Sequence, residues 1–239
     1  MKTRIMYCIP LFFLCLSCVK TEVPPSQEEK IEKKKEEKKK EVPDKLKIIP
    51  IDRPIYAHER LELETNSDEP VTWRSSNKYI GDFERDNIFL PNQIGTTTIT
   101  AKTKDEEAKL RFEIVPKYDL FEEPIISFGS KKEVIMQKEK RKLKEEMTGF
   151  LIYEDTNPFI KRDVVYGFNH SGKFNVLVRF GVQKKNDLDK VIGFYHERYR
   201  ISRKDNKAII FVNQKETVQI RLTFDDKSGT TASYAPITG

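Results

Sequence analysis

The chain has 239 residues, with 44 lysines and arginines against 38 aspartates and glutamates, a formal charge of +6 and 34% charged residues. That charge and a mean hydropathy of −0.63 would describe a disordered polymer if spread evenly, but they are concentrated between residues 19 and 47, which leaves apolar chain for one to two domains. All three cysteines, Cys8, Cys15 and Cys18, fall in the first eighteen residues, so the rest of the chain can form no disulfide and must rely on core burial; the modest charge excess gives no reason to expect a nucleic-acid partner.

Lys2 and Arg4 precede an apolar stretch over residues 5–16, and small Ser17 stands directly before Cys18. The apolar stretch is shorter than the roughly 20 residues a membrane-spanning helix needs and is interrupted by Pro10, which argues against a permanent transmembrane anchor. The arrangement resembles a bacterial lipoprotein signal peptide. It implies that residues 1–17 are removed and that Cys18 becomes a lipid-bearing N-terminus. One departure is Cys15, where the usual pattern has leucine three residues before the lipidated cysteine. A single acyl chain anchors only marginally; the resemblance implies three, hence stable attachment at the cell envelope, in the outer membrane, with either face possible.

Residues 18–45 then read as a tether. Pro24, Pro25 and Ser26 lead into the run EEKIEKKKEEKKKE, with Ile31 almost its only apolar group, so no core can form. Glu29 with Lys33 and Glu36 with Lys40 make favourable i,i+4 pairs worth about 0.2 to 0.5 kcal/mol each. A mixed-sign, semi-rigid stalk that lifts the folded part from the membrane follows.

From 46 to 116 the apolar pattern switches to short segments of period two: Leu61 and Leu63, Val71 to Trp73, Asn87 to Leu90, Thr96 to Thr100 and Leu110 to Val115, separated by turn signals such as Ser75-Ser76-Asn77 and Pro91-Asn92. Strands of this length and spacing predict a small antiparallel β-sandwich. The order of Trp73, Ser76, Asn77, Asp82, Gly95, Thr96, Ile99 and Ala101 resembles the bacterial immunoglobulin-like (Big, group 2) domain, which implies an immunoglobulin-like sandwich that serves as a spacer or adhesive module. Where that family commonly has glycine in a hairpin, this chain has Asp86-Asn87, which tolerates left-handed geometry. Trp73, in a strand among apolar neighbours, is expected to be the core anchor of the sandwich rather than an exposed ligand platform.

Over 117–239 helical and strand periods alternate, predicting an α+β two-layer domain with an antiparallel sheet in the order helix-βββ-helix-βββ. Ser130 and Glu133 have capping-box spacing and predict a polar helix running to about Met147. Strands follow at 150–153, 163–168 and, after a turn at His170, at 174–180. Asn186 or Asp187 is expected to cap a second helix whose apolar set is Leu188, Ile192, Tyr195 and Tyr199, and strands at 208–212, 217–224 and 232–236 complete the pattern. The segments FGSKKEVIMQKEKRKL, YGFNHSGKFNVLVRF and IGFYHERYRI resemble a recurrent region of bacterial lipoproteins of unassigned function and, more distantly, small outer-membrane assembly lipoproteins; the resemblance carries no functional residues with it.

The chemistry-bearing residues are sparse. His58, His170 and His196 lie far apart in sequence with no second histidine at ligand spacing, His196 beside Glu197 reads as a solvated pair, and neither a nucleophile elbow nor a phosphate-binding glycine loop occurs. No catalytic residue, metal or cofactor is expected. The remaining candidate surface is Tyr195, Arg198, Tyr199, Arg200 and Arg203, where arginines beside aromatics could take a phosphate, a sulfated glycan or an acidic peptide; alternatively the tyrosines face the core and the arginines sit solvated at a helix C-terminus. The sequence thus predicts a non-catalytic, lipid-anchored envelope protein acting as a surface-displayed binding or adhesion module with a protein or glycan ligand. The alternative is a periplasm-facing lipoprotein that supports outer-membrane assembly or restrains an envelope enzyme.

Overall fold

The computed structural model describes residues 45–155, 162–169, 174–180, 185–225 and 229–237. The leader, Cys18, the charged tether and the turn at His170 lie outside the described residues. Seven strands form first: β1 (Ile55–Tyr56), β2 (Leu61–Glu62), β3 (Thr72–Ser75), β4 (Gly81–Arg85), β5 (Ile88–Pro91), β6 (Gly95–Lys102) and β7 (Glu107–Val115). They make a four-stranded sheet in the order β1-β7-β6-β3 and a three-stranded sheet in the order β2-β5-β4. All pairs are antiparallel except β1 with β7.

The period-two alternation does its expected work here. On β6, Thr97, Ile99 and Ala101 turn inward while their neighbours stay accessible, and Ile99 and Ala101 meet Phe112 and Ile114 of β7 together with Leu61, Leu63, Ile80 and Phe89 in one hydrophobic cluster drawn from both sheets. The turn after β3 is tied into it by hydrogen bonds: Thr97 Oγ1 lies 2.9 Å from Ser75 Oγ and accepts the Asn77 N–H at 3.1 Å, so the two buried hydroxyls are satisfied. Asp86 takes φ of 38° between β4 and β5, the left-handed turn conformation that the Asp-Asn pair was expected to supply. Gly81 allows the close approach of the core, since a Cβ there would stand 2.4 Å from the Phe89 ring.

Trp73 is not the centre of this core. It is half-buried, tilted against Phe83 with centroids 5.8 Å apart, and the chain of rings continues from Phe83 to Phe89 at 5.3 Å and from Phe89 to Phe112 at 5.7 Å. The fully buried aromatic is Phe89, at 0% exposure. The reason is position: β3 is four residues long and lies at the edge of its sheet, so the indole is covered on one side only.

The rest of the chain forms α1 (Lys132–Lys138), β8 (Lys142–Met147), β9 (Phe150–Asp155), β10 (Arg162–Phe168), β11 (Phe174–Phe180), α2 (Lys185–His196), β12 (Arg200–Lys204), β13 (Ala208–Val212), β14 (Val218–Asp225) and β15 (Gly229–Pro236). The eight strands make one sheet in the order β12-β13-β14-β15-β11-β10-β9-β8, antiparallel throughout. Each group of four strands is a meander, and the two join where β15 pairs with β11, Tyr234 opposite Val176 and Ala232 opposite Val178. Cross-strand neighbours such as Tyr153, Val164 and Val178, or Phe211, Ile220 and Tyr234, share one face. Val191, Phe194 and Tyr195 of α2 pack with that face in the second hydrophobic cluster.

The order is therefore a helix and four strands, twice, in place of a helix and three strands. The expected polar helix to Met147 stops at Lys138, and residues 142–147 are the edge strand β8, exposed along its whole length. Ser130 does not cap α1: its hydroxyl donates to Ser127 Oγ, and Lys131 occupies the cap without a side-chain bond. Likewise α2 ends at His196, so Tyr199 lies beyond it and residues 200–204 form the opposite edge, β12. Asn186 and Asp187 sit inside the first turn of a helix that already begins at Lys185. Charged residues at a sheet edge discourage pairing with other chains, and the same residues erase the alternation by which a strand is read.

Candidate functional site at the joint between the two cores

Both hydrophobic clusters belong to one unit, Asp44–Gly239, and the segment that joins them is centred on the end of α2. Glu197 is 2% exposed. Its carboxylate accepts the backbone N–H groups of Lys117 at 3.0 Å and Tyr118 at 3.2 Å, and the Arg198 guanidinium donates to it at 2.5 Å. Arg198 also donates to the Phe194 and Tyr118 carbonyls and lies 3.7 Å from the centre of the Phe194 ring. The result is a buried ion pair whose hydrogen bonds hold the entering segment 117–118 against the end of the helix. Gly193 lets Tyr118 seat there, because a Cβ would stand 2.4 Å from its ring.

Further hydrogen bonds fasten the first core to the same place. Ile94 N–H donates to the Glu197 carbonyl at 2.6 Å, the Tyr79 hydroxyl donates to the Arg198 and Val212 carbonyls, and Gln214 Nε2 donates to Asn77 Oδ1 at 3.2 Å. His58 completes the joint. It holds φ of 65°, stacks on His196 with centroids 3.8 Å apart and planes 15° apart, and its Nε2–H donates to the His196 carbonyl at 3.2 Å. Beside this pair an open cleft of 370 Å³ runs between the two parts, with Lys78, Tyr79, Asn92 and Gln93 on one side and His196, Arg200 and Ile201 on the other.

The five residues of the expected basic and aromatic surface do not form one exposed patch. Tyr195 is fully buried and its hydroxyl lies 2.8 Å from that of Tyr234. Tyr199 is buried and donates to Glu123 at 2.7 Å, burial being the main force raising both the Tyr199 phenol and the Glu123 carboxyl above their ordinary ranges. Arg198 is locked as described. Arg200 and Arg203 remain exposed on β12, Arg200 in an exposed pair with Glu216, and Arg200 alone of the five lines the cleft. The core reading of the two tyrosines is the one the geometry favours, and Glu197 beside His196 is buried rather than solvated.

The reading of the residues in sequence missed the histidine pair. His58 and His196 are 138 positions apart, and no spacing rule links them. Burial first, then the neighbouring His58 and Lys204, hold the His196 imidazole down to about 4. Between the ordinary value of 6.5 and about 4 the unfolded chain binds more protons than the folded one, so stability rises with pH through that window and is lost as pH falls. Discounting for the water that reaches the half-exposed ring, we expect a loss of about 1 to 2 kcal/mol. Thermal melts of the wild type and His196→Gln between pH 7 and 4 check this: the substitution should flatten the slope, and an equal slope in both would assign the pH dependence elsewhere.

Among the described residues no group of three or more histidines, cysteines or carboxylates is placed to hold a metal, and no described helix is long and apolar enough to cross a membrane. No protein-family model and no curated protein matches this chain.

Proposed function

We propose that the protein is a lipid-anchored envelope protein whose folded part is a non-catalytic binding module displayed at the cell surface. The observation that carries the reading is the placing of Cys18 directly after a short cationic and apolar leader and directly before a Lys/Glu-rich stalk. In this reading residues 46–116 are an immunoglobulin-like sandwich of the bacterial Big type, supported by two sheets that share one core, and residues 117–239 are a two-layer α+β domain, supported by α2 packed on one face of the eight-stranded sheet. The joint adds a mechanical argument. A buried ion pair and hydrogen bonds from both parts fasten one to the other, which suits a module that presents a cleft built from both.

Metabolic labelling with a fatty acid tests the anchor. The wild-type chain should incorporate label and Cys18→Ala should not; label retained in the variant would end the lipoprotein reading.

A further inference from the structure

We propose that the cleft at the joint binds a small acidic sugar, of the uronic-acid type, through its carboxylate and ring hydroxyls. The pointer is Gln93. Its backbone N–H is used, donating to the Ile80 carbonyl, and the residue is only 5% exposed. Yet its carboxamide has no hydrogen-bond partner among the described residues, and it borders the cleft without being sealed from it. A carboxamide that solvent reaches and no described protein group pairs is free to take a ligand group, and Gln93 borders the cleft. A ligand offering hydroxyls would complete it as both donor and acceptor.

The charge of the lining selects an anion. Lys78 from the first part and Arg200 from the second both border the opening, and among the described residues no aspartate or glutamate does. Both cations are engaged in exposed pairs, with Asp82 and Glu216, and such pairs hold their partners weakly, so a ligand carboxylate can compete for them. Apolar recognition has little to work with: among the described lining residues Ile201 is the one aliphatic, which favours a polar ring over an acidic peptide with an apolar side chain. Tyr79 also borders the cleft, its side chain held by the bonds of its hydroxyl to two backbone carbonyls, and brings an aromatic surface to the lining. A volume of 370 Å³ is at the small end of ligand sites and suits a single sugar unit.

This assignment rests on the reading of the protein as a binding module, but not on its anchoring. The test is calorimetric titration of the full-length chain at pH 7 with glucuronate, glucose, inorganic phosphate and N-acetyl-dialanine. Glucuronate should bind saturably and at least tenfold more tightly than the other three. Arg200→Gln, at an exposed position, should weaken it at least tenfold. Gln93→Leu should do the same while leaving the melting temperature unchanged or higher, because it orphans no partner. The site is overturned if glucuronate does not saturate, if phosphate binds equally well and the cleft is only a general anion patch, if N-acetyl-dialanine is preferred and the ligand is a peptide, or if both variants bind as the wild type does. None of these outcomes would alter fatty-acid labelling, so the cleft and the anchor fail separately.

Discussion

Glu197→Ala is expected to destabilise the protein by about 3 to 5 kcal/mol, the range for breaking a buried ion pair by removing one partner. The carboxylate is the acceptor for two otherwise unpaired backbone N–H groups, at Lys117 and Tyr118, and it neutralises Arg198, whose side chain is only 12% exposed. Its loss leaves two amides without their acceptor inside the joint and takes from Arg198 its nearest counter-charge, the next carboxylate, Glu123, standing 4.0 Å away. Urea unfolding measures the effect directly. The double variant Glu197→Leu with Arg198→Met should recover much of it, since replacing a whole buried pair by apolar residues is often neutral. A loss below about 1 kcal/mol for the single variant would mean that water reaches the pair and that the joint is held by other contacts.

Phe89→Ala should be comparably damaging, costing about 3 to 5 kcal/mol for a fully buried aromatic. Phe89 touches both sheets through Phe83 and Phe112 and already fills the space above Gly81, so the cavity left behind has rigid walls. Trp73→Ala provides the contrast: half-covered on an edge strand, it should lose only about 1 to 2 kcal/mol. Equal losses at the two positions, compared in the same urea titration, would restore Trp73 as a full member of the core.

What could be read in advance follows from which physical signals are local. β6 and β7 were legible because Thr97, Ile99, Ala101, Phe112 and Ile114 alternate with polar neighbours on strands buried on one face. The pairs Val176 with Val178 and Ile220 with Leu222 were legible for the same reason. β8 and β12 were not. They are the two outer strands of the eight-stranded sheet, their side chains are almost all exposed, and a run such as Lys-Leu-Lys-Glu-Glu-Met carries helix propensity while its strand character comes only from pairing with β9. The site was less legible than the fold. Arg200 was singled out, but its companions in the cleft lining, Lys78 and Gln93, lie more than a hundred positions away in sequence, and the stacking of His58 on His196 is a contact across 138 positions that only the tertiary fold makes.

The proposed display of the folded part outside the cell, on a lipid anchor, is tested most directly by digestion of intact cells with a protease that cannot cross the outer membrane, followed against a periplasmic control. Surface display predicts release of a fragment of about the size of residues 45–239, cut within the lysine-rich run 30–42, while the control survives. Full protection of the chain under the same conditions would contradict surface display, favour the periplasm-facing reading, and direct the search for a ligand to components of the envelope itself.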